Sequence, residues 1–160
     1  MGKKKEQERF PITVILDNIR SALNVGAIFR TCDAANVENL YLCGITAYPP
    51  HNRIPKTALG TIESVPWKHF KTTQEAMQKL NNSTTISVEL TPDAINFWDF
   101  KFEPPTTLIF GNEISGISND LLKNSDAVVK IPMFGEKESL NVATSCGIVL
   151  YEILRQWNKK

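Results

Sequence analysis

Apolar runs recur along the chain, each closed by a turn residue or a charge: "ITVILD" (12–17), "NLYLCG" (39–44), "VPWKHF" (65–70), "TTISVEL" (84–90), "TTLIFG" (106–111) and "AVVKIPM" (127–133). Short runs rich in β-branched and aromatic residues read as buried strands. Between them the apolar spacing changes to a helical period, over 25–35, "TTQEAMQKLNN" (72–82), "SNDLLKN" (118–124) and a long final segment. Strands alternating with helices predict an α/β domain with a mostly parallel sheet. The stretch "TAYPPHNRIPKTALGTIES" (46–64) has no clear period and reads as a long loop with a helical turn near "PKTALG". Loops of that length in a small domain are often functional.

The segment from Ile131 to Trp157, "IPMFGEKESLNVATSCGIVLYEILRQW", is unusual. A strand runs into Gly135, passes charged residues and enters a helix through "SLN". Such an entry presents backbone N–H groups and the positive end of a helix dipole to a ligand. Ser139 and Asn141 are both suited to cap that helix. The helix carries two adjoining apolar stripes, Val142, Cys146, Val149, Ile153 and Trp157, and Ala143, Gly147, Leu150 and Leu154. One stripe suffices to cover a domain, so the second predicts packing on another body.

Composition narrows the options. With 160 residues, 42% of them hydrophobic, the chain supports one ordinary domain. We divide it into a flexible basic tail, 1–10 ("MGKKKEQER" at its start), and a folded domain, 11–160. A net charge of +1 advertises no polyanionic partner, so any RNA contact has to rest on local patches such as Arg20, Arg30, Arg53, Lys56 and the tail lysines. Cys32, Cys43 and Cys146 form no C-x-x-C, and no histidine stands at metal-ligand spacing. These features predict a reduced, cytoplasmic protein without a metal. No apolar run approaches the ~20 residues that span a bilayer.

Three motifs carry candidate chemistry. "FGNEISGIS" (110–118) follows a strand, and its Gly111 and Gly116 have P-loop spacing, but Ile117 stands where that loop needs lysine. What remains is a glycine turn at the carboxyl end of a strand, where open α/β sheets bind ligands, with the single carboxylate Glu113. "NIRSALNVGAIFRTCDAAN" (18–36) offers Asn24 as an N-cap and sets Arg30 on a face of small residues with Gly26, Ala27, Asp33 and Ala34. Another backbone can approach such a face closely; the plainer reading is an Arg30–Asp33 pair on a solvated surface. The third motif is the "SLN" entry. His51 and His69 are solitary and are poor catalytic candidates.

In order, "N-x-R-S-x-x-N-x-G-x-x-x-R" (Asn18 to Arg30), "F-G-N-E-x-x-G-I" (Phe110 to Ile117) and "I-P-M-x-G-x-x-x-S-L-N-V" (Ile131 to Val142) resemble the signature motifs of the SpoU/TrmH family of tRNA/rRNA 2'-O-ribose methyltransferases, in the SPOUT superfamily. The resemblance runs from the first strand to the last helix. It implies an α/β sheet whose C-terminal part forms a trefoil knot, S-adenosylmethionine as cofactor, and a homodimer packed across the final helix.

By the same resemblance, Leu90, Gly111, Asn112, Ile131 and Leu140 fall to the cofactor pocket. Arg30 falls to catalysis, with Glu113, Ser139, Asn141 and Asn24 shaping the site around the ribose. The implied reaction is methylation of a ribose 2'-hydroxyl in RNA, with tRNA favoured over rRNA. The alternative is a non-catalytic RNA- or nucleotide-binding module on the same fold. Many relatives carry an added RNA-binding domain or terminal extensions, and this chain is expected to have essentially none. Arginine is a poor general base, with a pKa above about 12. Arg30 therefore either loses its proton when RNA binds or stays cationic and stabilises the developing alkoxide.

Overall fold

The computed structural model describes residues 8–80 and 82–158. Lys3, Lys4 and Lys5 of the expected basic tail lie outside the described residues. The strands are β1 (Phe10–Asp17), β2 (Val37–Cys43), β3 (Trp67–Phe70), β4 (Thr84–Val88), β5 (Ile95–Asn96), β6 (Thr106–Phe110) and β7 (Ala127–Lys130). The helices are α1 (Ala22–Ala35), α2 (Pro55–Ala58), α3 (Thr73–Gln78), α4 (Asn119–Asn124) and α5 (Val142–Trp157). The strands form one sheet in the order β3-β2-β1-β6-β4-β7-β5, and every pairing is parallel. After β5 at the far edge, the chain crosses back to place β6 between β1 and β4, then β7 between β4 and β5.

Alternation along β1 sorts the two layers that cover the sheet. Ile12, Val14 and Leu16 join Val25, Ile28 and Phe29 of α1 and Cys146, Val149, Leu150 and Ile153 of α5 in the main core. Ile15 points to the other face, with Ala76 of α3 and Leu121 of α4. Fully burying one such aliphatic side chain contributes about 1.5–3 kcal/mol. The central strands are therefore anchored from both sides, and their carboxyl ends make a fixed rim. Packing of α1 on α5 also brings the thiols of Cys32 and Cys146 into contact, far apart though they are in the sequence; both are free.

Three expectations are corrected here. Helix α1 begins at Ala22, earlier than Val25, because Ser21 is its N-cap and accepts from Asn24 N at 3.2 Å. Strand β5 was not foreseen. The α5 stripes do not divide into one inward and one outward: Val142, Cys146, Val149, Leu150 and Ile153 are all buried inside this chain. The helix packs on α1 and on the sheet's core: the first stripe is the more deeply buried, while Ala143, Gly147 and Leu154 of the second are half-buried. Its exposed apolar ridge is instead Ile148 and Tyr151, 37% and 51% exposed. Among the described residues, no helix is long and apolar enough to cross a membrane.

Candidate active site

The turn after β6 is held by its own polar atoms. Asn112 Oδ1 accepts from Ile114 N (2.9 Å) and Ser115 N (3.0 Å), and Asn112 Nδ2 donates to the carbonyl of Asn18 at 2.7 Å. Gly116 N donates back to Asn112 O at 2.9 Å. Gly116 has φ +68°, a left-handed conformation that favours glycine. A Cβ on Gly111 would come within 2.6 Å of the Gly116 carbonyl carbon and of Ile117 N. Gly111 is therefore required by the closure of its own turn, and the direction of its missing side chain is toward 116–117. Glu89, just past the end of β4, accepts from Ile117 N at 2.9 Å and braces the turn from below.

Glu113 projects from this turn to the start of α1. Its Oε2 accepts from Arg20 N (2.9 Å), and its Oε1 accepts from Ser21 N (3.1 Å) and Asn24 Nδ2 (3.4 Å). Burial pushes its pKa upward, but these donors and its own backbone N–H outweigh that and hold the carboxyl below the usual range. Asn24 is not the cap of α1; it sits in the first turn, and its amide bridges two motifs. Its Oδ1 accepts from Asn141 Nδ2 at 3.1 Å. Asn141 in turn caps α5, its Oδ1 accepting from Ala143 N (2.9 Å) and Thr144 N (3.2 Å). One chain of hydrogen bonds, Asn141 to Asn24 to Glu113, thus joins all three sequence motifs at a single point.

Beside that point lies a pocket of about 380 Å³ at the carboxyl ends of β4, β6 and β7. Leu90, Gly111, Asn112, Glu113, Ile131, Ser139, Leu140 and Asn141 all line it. Among the described residues, the Ser139 hydroxyl has no hydrogen-bond partner. Asn24 reaches the rim through Glu113 and Asn141. The sequence reading missed Glu89, Met133, Glu138 and Ser145, which also line the pocket. Glu89 was findable, as a carboxylate at the carboxyl end of a parallel strand; Met133 and Glu138 lie within the third motif, and Ser145 gave no signal.

Arg30 does not line this pocket. It lies six residues beyond Asn24, about 9 Å along the helix axis, and is exposed. The expected pair with Asp33 does not form: Asp33 accepts from Ser64 Oγ at 2.7 Å, and Arg30 has no ion-pair partner among the described residues. The small-residue face is partly used by the chain itself, since a Cβ on Gly26 would collide with Ile54 O and Thr57 Oγ1 of the α2 segment. Arg30 therefore stands on the exposed side of α1, outside the pocket lining, and Ile148 and Tyr151 are the exposed apolar residues of the neighbouring α5.

A pocket with a preformed glycine turn, apolar walls and an uncommitted hydroxyl suits a small ligand presented to a second, larger one. Comparison with known proteins agrees. A family model described as "SpoU rRNA Methylase family" matches residues 11–151. The tRNA (guanosine(18)-2'-O)-methyltransferase of Aquifex aeolicus is 32% identical over 161 residues, covering 97% of this chain and 74% of that protein. The SpoU methyltransferase AviRb from Streptomyces viridochromogenes superposes with a TM-score of 0.84 at 29% identity, over 92% of this chain and 60% of that one. An AdoMet-bound rRNA methyltransferase from Sinorhizobium meliloti gives 0.85 at 27% identity, over 92% of this chain and 57% of that one. The chain thus spans about three quarters of the first relative and well under two thirds of the two solved structures.

Proposed function

Because the chain belongs to the SpoU rRNA methylase family, we propose that it transfers a methyl group from S-adenosylmethionine to a ribose 2'-hydroxyl of RNA, with tRNA as the favoured substrate. The hydrogen-bond chain that joins Glu113, Asn24 and Asn141 at the pocket rim carries this reading. A binder without catalysis has no need to knit three separated motifs to one place. The tRNA preference rests on relatives named as tRNA (guanosine(18)-2'-O)-methyltransferases. Structural relatives named for rRNA keep rRNA as the second substrate class.

The pocket fits the cofactor on its own chemistry. Leu90, Ile131, Leu140 and Val142 supply apolar wall for an adenine, and Glu89 and Glu138 supply negative charge toward a cationic ligand. When bound, S-adenosylmethionine supplies an activated methyl group on a positively charged sulfur. The chain's own part is to align the hydroxyl and handle its proton. Alignment of fixed reactants contributes about 7 kcal/mol or more. Ser139, whose free hydroxyl lines the pocket, is the residue we assign to hold the ribose. Glu113 is a poor base, because both oxygens accept hydrogen bonds and its pKa is depressed. Arg30 serves as the cation that stabilises the developing alkoxide, while a phosphate oxygen of the RNA or a water takes the hydroxyl proton.

Arg30 meets this role in a homodimer. The α1–α5 surface adjoins the pocket, since Asn24, Asn141 and Ser145 stand at the same end of the two helices. An isologous contact through Ile148 and Tyr151 carries each Arg30 toward the partner's site. The crossing order of β6 and β7 supports the knotted C-terminal half that the family resemblance implies.

The test is incubation with labelled S-adenosylmethionine and separate unmodified tRNA and rRNA pools, followed by nucleoside mapping, with sedimentation of the same sample. We expect 2'-O-methylnucleoside in the tRNA pool and a species of twice the 18.0 kDa chain mass. Cofactor binding without transfer to either pool would favour the binding module, and a monomer at every concentration would remove the dimer.

A further inference from the structure

A second cleft, of about 490 Å³, shares Glu113 and Ile114 with the pocket and is otherwise lined by different residues, among them Arg20, Leu23, His51 and Arg53. Two of these come from the long 46–64 loop, whose role the pocket leaves unexplained. We infer that this cleft seats the target nucleotide in an unpaired, unstacked conformation, with Arg20 and Arg53 on the phosphates flanking it, and Leu23 and Ile114 against the base. The inference rests on the RNA-methylation reading above.

Charge is the first argument. The carboxylate in the cleft, Glu113, is spent on the backbone N–H groups of Arg20 and Ser21 and on the Asn24 amide. Among the described residues, neither the Arg20 nor the Arg53 guanidinium has a hydrogen bond or an ion pair. Two unpaired forks in one concavity match phosphate oxygens, which arginine binds in bidentate fashion. At the start of α1, the N–H groups of Ser21 and Asn24 are already taken, by Glu113 and by the Ser21 hydroxyl.

The second argument is apolar. Ile114 is 78% exposed and Leu23 44% exposed, aliphatic side chains left in water between the cations. A nucleobase face covers such surface, whereas a phosphate or a free sugar does not. His51 adds a directed donor. Its Nδ1 accepts from Arg53 N at 3.1 Å, so in the neutral ring Nε2 carries the proton and is the nitrogen left to donate.

Position is the third. A ribose lying over the shared wall of Glu113 and Ile114 has its 2'-hydroxyl on the pocket side and its base and phosphates on the cleft side. A base within a duplex cannot enter a concavity of this size, which makes a loop or single-stranded nucleotide the substrate class.

The experiment measures binding of a labelled single-stranded RNA fragment, and of a duplex of the same sequence, over a salt series and with saturating S-adenosylhomocysteine. Arg20→Ala and Arg53→Ala should each weaken single-strand binding several-fold and lower the slope of log affinity against log salt by roughly 0.7–1. Their S-adenosylhomocysteine affinity and thermal unfolding should match the parent. Arg53→Lys should keep the salt slope. Ile114→Ala should narrow the preference for single strand over duplex. A parent that methylates RNA while both arginine variants bind it like the parent overturns the cleft and leaves the methylation reading standing. A parent that neither binds nor methylates RNA overturns both.

Discussion

On the pocket side of Glu113 the asparagines are committed, Asn112 to the turn, Asn24 to Glu113 and Asn141, Asn141 to the cap of α5, and the Ser139 hydroxyl is left free among the described residues in the site they frame. On the cleft side and along outer α1, Arg20, Arg30 and Arg53 are exposed and have no ion-pair partner among the described residues. The difference follows from what each region has to hold. A small ligand of fixed shape is bound best by walls that are ordered beforehand, because nothing then has to be immobilised on binding. A long flexible polyanion is met by long side chains whose charge acts over a Debye length and whose geometry forms on contact. Substitutions on the two sides should therefore fail in different ways.

The largest effect is expected at Gly111. Valine there would place atoms against the backbone of 116–117, which has no room to yield without opening the turn. Overpacking of a fixed site costs about 1–3 kcal/mol or more. Gly111→Val should lower the unfolding midpoint and abolish S-adenosylhomocysteine binding by calorimetric titration. Parent-like binding and stability together would show that the pocket side is not preformed.

Arg30 comes next, and it probes the opposite side. Arg30→Ala should leave stability within about 0.5 kcal/mol of the parent, as expected for an exposed side chain without a partner. S-adenosylhomocysteine affinity should also persist. Methyl transfer should nevertheless fall by roughly two orders of magnitude or more, the scale of lost charge stabilisation. Arg30→Lys should fail as well, since an ammonium does not replace the planar fork. Near-normal turnover in both would take Arg30 out of the reaction.

How far the sequence reveals this molecule depends on which side is considered. The strands β1 and β6 are legible because apolar runs between two helical layers have few other destinations. Strand β5 is not, since two residues at a sheet edge carry no period. The three motifs are legible as residue types in order, and the structure brings Asn24, Glu113 and Asn141 together. Their local jobs are less so: a glycine at 111 does not say which way its missing Cβ would point, and Ser21 and Asn24 are both good caps until Glu113 claims the latter's amide. The two stripes of α5 are real, but only the packing shows that the first is buried in the core and the second is half-covered. Arg30 is named by its motif, and its distance from the pocket is visible only in the fold.

The smallest expected effect lies at Glu113, the residue both sides share. Its folded pKa is depressed by the hydrogen bonds it accepts. A carboxyl whose folded pKa lies below its unfolded value stabilises fully above the unfolded pKa, about 4.3, and that contribution is lost as pH falls through the folded pKa. Glu113→Gln removes the charge at every pH. The difference in unfolding midpoint between parent and variant should therefore stay constant from about pH 7 to pH 5, then shrink steadily below about pH 4.3. The change should be modest, because Glu113 is largely solvated and water screens what it gains. A gap that widens on acidification would mean that Glu113 is bound in its protonated form, donating rather than accepting. In that case the carboxylate would no longer be neutralised by the start of α1, and the division between a committed pocket and an uncommitted cleft would fail at its dividing residue.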